Sequence, residues 1–191
     1  MPDTNGQRSE EALLIQKAKE FDSEAWTQIY QSHYPKIYAY LRYRLRDINL
    51  AEDIAGDVFL RAVEGIRSYK YRSSSLLAWL YRIAHNRMVD HFRHKDRLNI
   101  QPLTDEVIAE SSTAQNTMEG PLVREELNSA LTNITEDQRQ VVLLKFFGGL
   151  NNAEVAQIIG KSEGAVKGLQ HRALASLRRI LEVEERREKR L

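Results

Sequence analysis

The chain has 191 residues, with 28 Lys and Arg against 27 Asp and Glu, and no cysteine. The lack of cysteine excludes disulfides, thiol catalysis, Cys-ligated zinc and iron–sulfur clusters. No apolar run reaches the ~18 residues that a membrane-spanning helix needs. The formal net charge of +1 at pH 7 argues neither for nor against a polyanionic partner, so only its distribution along the chain can decide. The amino terminus, MPDTNGQRSEEALL, has no basic segment followed by an apolar stretch, so no secretory signal and a cytoplasmic location are expected.

Few glycines and prolines, and apolar residues recurring at steps of three and four, predict an all-α protein of two small helical domains joined by a flexible linker. Residues 1–20 are expected to form a tail and first helix. Asp22 or Ser23 can cap the next helix, whose apolar positions are Trp26, Ile29, Tyr30, Tyr34, Ile37, Tyr38 and Leu41, with a bend expected at Pro35. Leu50–Ile66 and Leu76–Lys95 read as two further helices separated by a polar loop rich in Tyr and Ser; together they complete a domain over residues 21–97. Periodicity then vanishes, and the Ser, Thr, Glu and Asn content of residues 98–121 reads as the linker. Helical spacing resumes in residues 122–191, at Leu122–Leu131, Thr135–Phe147, Asn152–Ile159 and Ser162–Arg186.

Divided over these segments, the charge is far from neutral. Residues 47–66 hold Asp47, Glu52, Asp53, Asp57 and Glu64 against Arg61 alone, whereas residues 67–97 hold Arg67, Lys70, Arg72, Arg82, Arg87, Arg93, Lys95 and Arg97 against Asp90 and Asp96. The linker is acidic again and would be repelled by nucleic acid.

Within the last domain, NNAEVAQIIGKSEGAVKGLQHRALASLRR has the build of a helix-turn-helix. Val155, Ile158 and Ile159 face inward on a short helix, Gly160 supplies the turn, and Ser162 caps a longer helix with Ala165, Val166, Leu169, Ala173 and Leu177 as its apolar stripe. Lys167, Gln170, His171 and Arg172 fall partly on other faces, the composition of a helix that sets amide and basic groups against base edges and phosphates. A helical hairpin with a solvated basic face is the plainer reading.

SYKYRSSSLLAWLYRIAHNRMVDHFRHKDR interleaves Tyr69, Tyr71, Trp79, Tyr81 and Phe92 with basic and amide side chains. Such mixtures suit single-stranded nucleic acid, because an unstacked base gains ~1–3 kcal/mol on an aromatic face while cations follow the backbone. Leu76, Leu77, Leu80, Ile83, Ala84 and Met88 make an inward stripe, and Arg82, His85, Asn86, Asp90 and Arg93 can share an outward one. Core packing is the competing reading for Trp79 and Tyr81. Asp90, His91 and His94 also have a spacing open to metal ligation.

These segments resemble the extracytoplasmic-function sigma factors of bacterial RNA polymerase. LAEDIAGDVFLRA resembles the family's region 2.2, LLAWLYRIAHNRMVDHFR its regions 2.3 and 2.4, and DQRQVVLLKFFGGLNNAEVAQIIGKSEGAVKGLQHRAL its region 4, in the family's order. The resemblance implies a non-enzymatic protein without metal or cofactor that binds core RNA polymerase and promoter DNA, with an anti-sigma factor as a further partner and no membrane insertion. Glu52, Asp53 and Asp57 would dock on the basic coiled coil of the polymerase clamp. Tyr69, Tyr71, Trp79, Arg82, Asn86, Arg87, Asp90 and Arg93 would hold the unpaired minus-10 strand, and Ser162, Lys167, Gln170, His171 and Arg172 would read the minus-35 duplex.

Two departures stand out. Gly56 lies where the family commonly has Gln, and Gly168 and Leu169 replace a frequent Ser-Arg, which removes one DNA-facing cation. The competing functional readings are a stand-alone helix-turn-helix transcription regulator with a sensing or dimerising amino-terminal domain, and a helical metalloenzyme using Asp90, His91 and His94.

Overall fold

The computed structural model describes residues 4–45, 47–70, 75–97 and 129–188, and the chain divides into two compact units, one built chiefly on Met1–Ile100 and the other chiefly on Gln101–Ala156 and Gly160–Leu191. Among the described residues every element is helical, in keeping with the all-α expectation. The expected linker, residues 98–121, lies outside the described residues, as does Tyr71.

The first unit contains α1 (Thr4–Lys19), α2 (Ser23–Arg44), α3 (Ile48–Gly65), a 3-10 turn (Ile66–Ser68) and α4 (Leu76–Arg97). Asp22 starts α2 by accepting the Ala25 N–H at 2.7 Å, and Asp47 starts α3 by accepting the Leu50 N–H at 3.1 Å. Each satisfies one of the amide donors that a helix end leaves over. Pro35 lies inside α2, where its missing N–H forfeits one backbone bond. Packing carries the helix through it: Ile29, Ile37, Tyr40 and Leu41 are fully buried.

On α3 the buried positions are Ala51, Ile54, Ala55, Val58, Phe59 and Ala62. Leu60, between buried Phe59 and Ala62 in the chain, is 67% exposed. Phe59 occupies the place next to α2, its ring 4.9 Å from that of Tyr30 and 5.9 Å from that of Tyr34. Consecutive helical residues are about 100° apart, so burying Val58, Phe59 and Ala62 turns Leu60 outward. Tyr30, expected inward, is 45% exposed at the rim of this aromatic group.

Two half-buried histidines give this unit a pH dependence. Burial, with Lys36 as the second cause, lowers His33 to about 4, and burial followed by the Arg44 charge lowers His85 to about 4. The unfolded chain takes up protons at these positions as pH falls below about 6.5, while the folded chain resists until near the lowered values. The stability they contribute is therefore present above about pH 6.5 and lost as pH falls toward 4. Replacing both by glutamine is expected to flatten the decline in denaturation midpoint across that window; a slope equal to the parent's would exclude these histidines as its source.

In the second unit, residues 129–132 are helical and lead to α5 (Glu136–Val142), which widens into a π turn (Leu143–Phe147) before α6 (Asn152–Ile159) and α7 (Glu163–Glu188). Two reciprocal capping boxes set the starts of α5 and α6. Thr135 Oγ1 accepts from the Gln138 N–H at 3.4 Å while Gln138 Oε1 accepts from the Thr135 N–H at 3.2 Å; Asn151 and Glu154 exchange the equivalent bonds at 2.9 and 3.0 Å. The apolar spacing predicts one regular helix through Phe147. The extra residue per turn instead keeps Leu143 and Leu144 buried and leaves Phe146 55% exposed.

Candidate nucleic-acid and partner interfaces

Glu52 and Asp53 are exposed on α3, and Glu52 Oε1 accepts a long hydrogen bond, 3.5 Å, from the Tyr38 hydroxyl. Asp57 is placed differently. It pairs with Arg87 of α4 and lies 3.8 Å from Arg61 on its own helix. The expectation assigns Asp57 to a protein partner and Arg87 to nucleic acid; the structure pairs them with each other, because α3 and α4 pack side by side. A partly exposed pair of this kind contributes about 0.2–1 kcal/mol, enough to orient both side chains but not to hold the unit together. Gly56 lies on the same helix, and a Cβ there would meet nothing within 4 Å.

The aromatic residues before and within α4 are largely interior. Tyr69 is 4% and Trp79 8% exposed, their rings 4.7 Å apart, and a Cβ on Gly65 would sit 3.4 Å from Trp79 Cζ2. Tyr69 and Trp79, expected to meet the unpaired strand, thus lie against each other, with Trp79 close to the end of α3, and expose little surface. Tyr81 is fully buried edge-on to Tyr40 at 5.3 Å, with its hydroxyl donating to the Lys36 carbonyl at 3.3 Å. For Trp79 and Tyr81, core packing is the reading that the structure favours.

What α4 does present is polar. Arg82, Asn86, Asp90 and Arg93 are all exposed, and at 100° per residue they fall within about 80° of one another on the helix. His85, expected in this row, is half-buried and lowered to about 4, so it is neutral near pH 7 and adds no cation. Among the described residues no group of three or more His, Asp or Glu side chains could hold a metal ion, Asp90, His91 and His94 included.

Two interactions reach the start of α4 and the 3-10 turn from α1 and the turn after it. Glu11 Oε1 on α1 accepts the Leu76 N–H at 3.1 Å, and the Arg67 guanidinium stacks over the Phe21 ring at 4.6 Å. Phe21 adopts φ 60°, a left-handed conformation that costs a residue with a Cβ roughly 1–2 kcal/mol. Sequence reasoning missed both residues. Glu11 is 65 positions from its partner, and no local pattern marks an interaction of that span.

In the second unit the turn between α6 and α7 forms as its residues predict. Gly160 sits at φ 65°, ψ 35°, and the Lys161 N–H returns to the Ala156 carbonyl at 3.1 Å, closing α6 with a left-handed cap. Lys161 Nζ also meets Asp137 Oδ2 at 2.9 Å, joining the turn to α5. Ser162 Oγ accepts the Ala165 N–H at 3.2 Å, so its lone pairs serve the start of α7 first. Val166, Leu169 and Ala173 are buried, as are Val155 and Ile158 of the same motif, whereas Ala165, expected in the stripe, is exposed.

Lys167, His171 and Arg172 are exposed on α7, and Gln170 is half-buried. The missing side chain at Gly168 leaves room for the Arg172 guanidinium, whose Nη1 would lie 3.5 Å from a Cβ placed there. Leu169, at the position of the cation absent from the family's pattern, is buried, and Gly168 beside it leaves the helix surface bare where Arg172 lies.

Comparison with known proteins accords with this division. Residues 29–98 match sigma-70 region 2 and residues 124–177 match sigma-70 region 4. The ECF RNA polymerase sigma factor BldN of Streptomyces coelicolor is 32% identical over 172 residues, covering 88% of this chain and 64% of its own length. The ECF RNA polymerase sigma factor SigX of Bacillus subtilis is 29% identical over 170 residues, covering 84% of this chain and 85% of its own. Among solved structures, the sigma factor RpoE from Bartonella quintana, determined in complex with the anti-sigma factor NepR, superposes with a TM-score of 0.68 at 26% identity, over 82% of this chain and 96% of that one. A region 2 match across residues 29–98 does not favour a stand-alone helix-turn-helix regulator. With regions 2 and 4 in order and such relatives aligned along most of its length, the chain belongs to the sigma-70 family, among its extracytoplasmic-function sigma factors.

Proposed function

We propose that the protein binds core RNA polymerase, directs it to a particular set of promoters and supports strand opening there, without itself making or breaking a bond. The observation that carries this reading is the exposure, on one chain, of two different sets of polar and basic side chains. One unit offers the exposed row Arg82, Asn86, Asp90 and Arg93, and the other a capped helix with exposed Lys167, His171 and Arg172. In the first, Arg82, Asn86, Asp90 and Arg93 contact the strand and Tyr71 is proposed to join them, while Arg87, through Asp57, and the packed pair Tyr69 and Trp79 help hold the helix that carries the row. Holding an unpaired strand makes opening favourable by mass action, since the closed duplex offers the row nothing comparable. In the second, Lys167, Gln170, His171 and Arg172 read the minus-35 duplex, with Ser162 fixing where the helix begins.

Docking on the polymerase falls to Glu52 and Asp53, the exposed carboxylates in the first half of the acidic helix, with Asp57 divided between that face and Arg87. The domains run over residues 21–97 and 122–191, tethered by residues 98–121, and the protein works in the cytoplasm. An anti-sigma factor is proposed as its regulator, on the likeness to the RpoE that was solved with NepR.

Transcription in vitro with bacterial core RNA polymerase and fragmented genomic DNA tests the function and yields the promoters at once. Specific transcripts that require the protein support it; a protein that binds duplex DNA tightly without polymerase and starts no transcript overturns it. In the same assay, Glu52→Ala with Asp53→Ala is expected to weaken core binding by about 10-fold or less, mainly through the association rate and most at low salt. Unchanged binding would assign docking to another surface.

A further inference from the structure

The sequence and the family assignment leave α1 without a role, yet its Glu11 bonds to the start of the strand-facing helix 65 positions away. The first amides of an α-helix have no partner within it. At α4, Ser75 Oγ accepts the Ala78 N–H at 3.3 Å and the Ser75 carbonyl accepts from the Trp79 N–H at 3.1 Å, while the Leu76 N–H is taken by Glu11. Leu76 is 1% exposed, so solvent has little access to substitute for that carboxylate. An anionic acceptor at this position is also favoured by the helix dipole. Nearby, the turn that follows α1 places Phe21 under Arg67 of the 3-10 turn, and the Trp26 indole N–H donates to the Ala18 carbonyl at 3.1 Å, fastening α1 to α2. The 3-10 turn and the start of α4 are thereby each held by α1 or the turn that follows it.

We infer that Glu11, backed by the Phe21–Arg67 stack, is a positioning residue for minus-10 strand capture: it fixes the first turn of α4 and so the register of Arg82, Asn86, Asp90 and Arg93 toward the strand. The inference rests on the proposed function. Its chemistry is simple. A carboxylate or an amide oxygen can accept the Leu76 N–H, whereas a methyl group cannot, and an unsatisfied amide at a buried helix end favours fraying of the first turn. Phe21 offers a second handle, because glycine adopts φ 60° without strain while removing the ring on which Arg67 rests.

The test uses the full chain assembled with core polymerase and a promoter recovered by transcription in vitro. Two probes are compared: a fork-junction DNA with the non-template minus-10 strand unpaired, and the isolated minus-35 duplex. Glu11→Ala is expected to weaken fork-junction capture by about 5- to 10-fold, the size of removing one buried hydrogen bond, with minus-35 binding and core binding unchanged. Glu11→Gln should restore capture, and Phe21→Gly should lower it without lowering the denaturation midpoint. Amide exchange at Leu76 should quicken in Glu11→Ala and not in Glu11→Gln. The inference is overturned if Glu11→Ala captures the fork as the parent does, if Gln fails to rescue, or if both probes and the midpoint fall together. A parent holoenzyme that captures no fork-junction DNA would instead overturn the proposed function, and the inference with it.

Discussion

Replacing Trp79 by alanine is expected to cost about 3–5 kcal/mol of stability in the first unit, the usual range for removing a large buried aromatic side chain. The ring is 8% exposed, packs on Tyr69 and closes against Gly65, so its removal opens a cavity that neighbouring helices can fill only in part. Because small domains are stable by only about 5–15 kcal/mol, much of that margin would go. Chemical denaturation should show a large fall in midpoint, with core binding and fork-junction capture declining together. Trp79→Phe should lose less, since a flat ring remains against Tyr69. A Trp79→Ala protein with its midpoint intact and only strand capture impaired would return the ring to a direct role with a base.

Removing the cations of the other unit should act on DNA and leave the fold alone. Lys167→Ala combined with Arg172→Ala is expected to reduce minus-35 duplex affinity by about 10-fold or more, because each exposed cation either neutralises a phosphate or bonds to a base edge, the latter worth ~1–3 kcal/mol. The salt dependence separates the two roles. A cation that neutralises a phosphate should, on removal, lower the slope of log affinity against log salt by about 0.9, whereas one that reads a base edge should leave the slope alone and relax preference at one base pair. Both side chains are exposed, so the denaturation midpoint should move little. Gly168→Leu offers a companion test: a bulky side chain there would push the Arg172 guanidinium off the helix surface and alter promoter preference. Equal affinity and slope in the double variant would place the duplex-reading face elsewhere.

The parts of this molecule that were legible from sequence are those with local causes. Asp22, Ser162 and Gly160 each act within a few residues of themselves, through a cap or a left-handed turn, and the structure forms each as the sequence predicts. The helix-turn-helix could be read nearly residue by residue for the same reason. What escaped was the outcome of competition between helices. Nothing near Trp79 or Tyr69 in sequence distinguishes an aromatic ring offered to a base from one packed on its neighbour. The Asp57–Arg87 pair likewise depends on two helices lying side by side, which charge counting along the chain cannot register. That Phe59 is buried and Leu60 exposed also depends on the aromatic residues of α2 that Phe59 meets. The π turn was missed because a single widened turn leaves the spacing of apolar residues almost unchanged.

The concentration of aromatic residues in one unit has a practical result. Both tryptophans, Trp26 and Trp79, and all eight tyrosines occur before residue 82, leaving Phe146 and Phe147 as the aromatic side chains beyond residue 92. Tryptophan and tyrosine light emission therefore follows the first unit alone, and the second melts unseen in the same signal. Recorded beside far-ultraviolet circular dichroism, which reports helices throughout the chain, the emission separates the melting of one unit from that of the other in an unlabelled, unmodified protein.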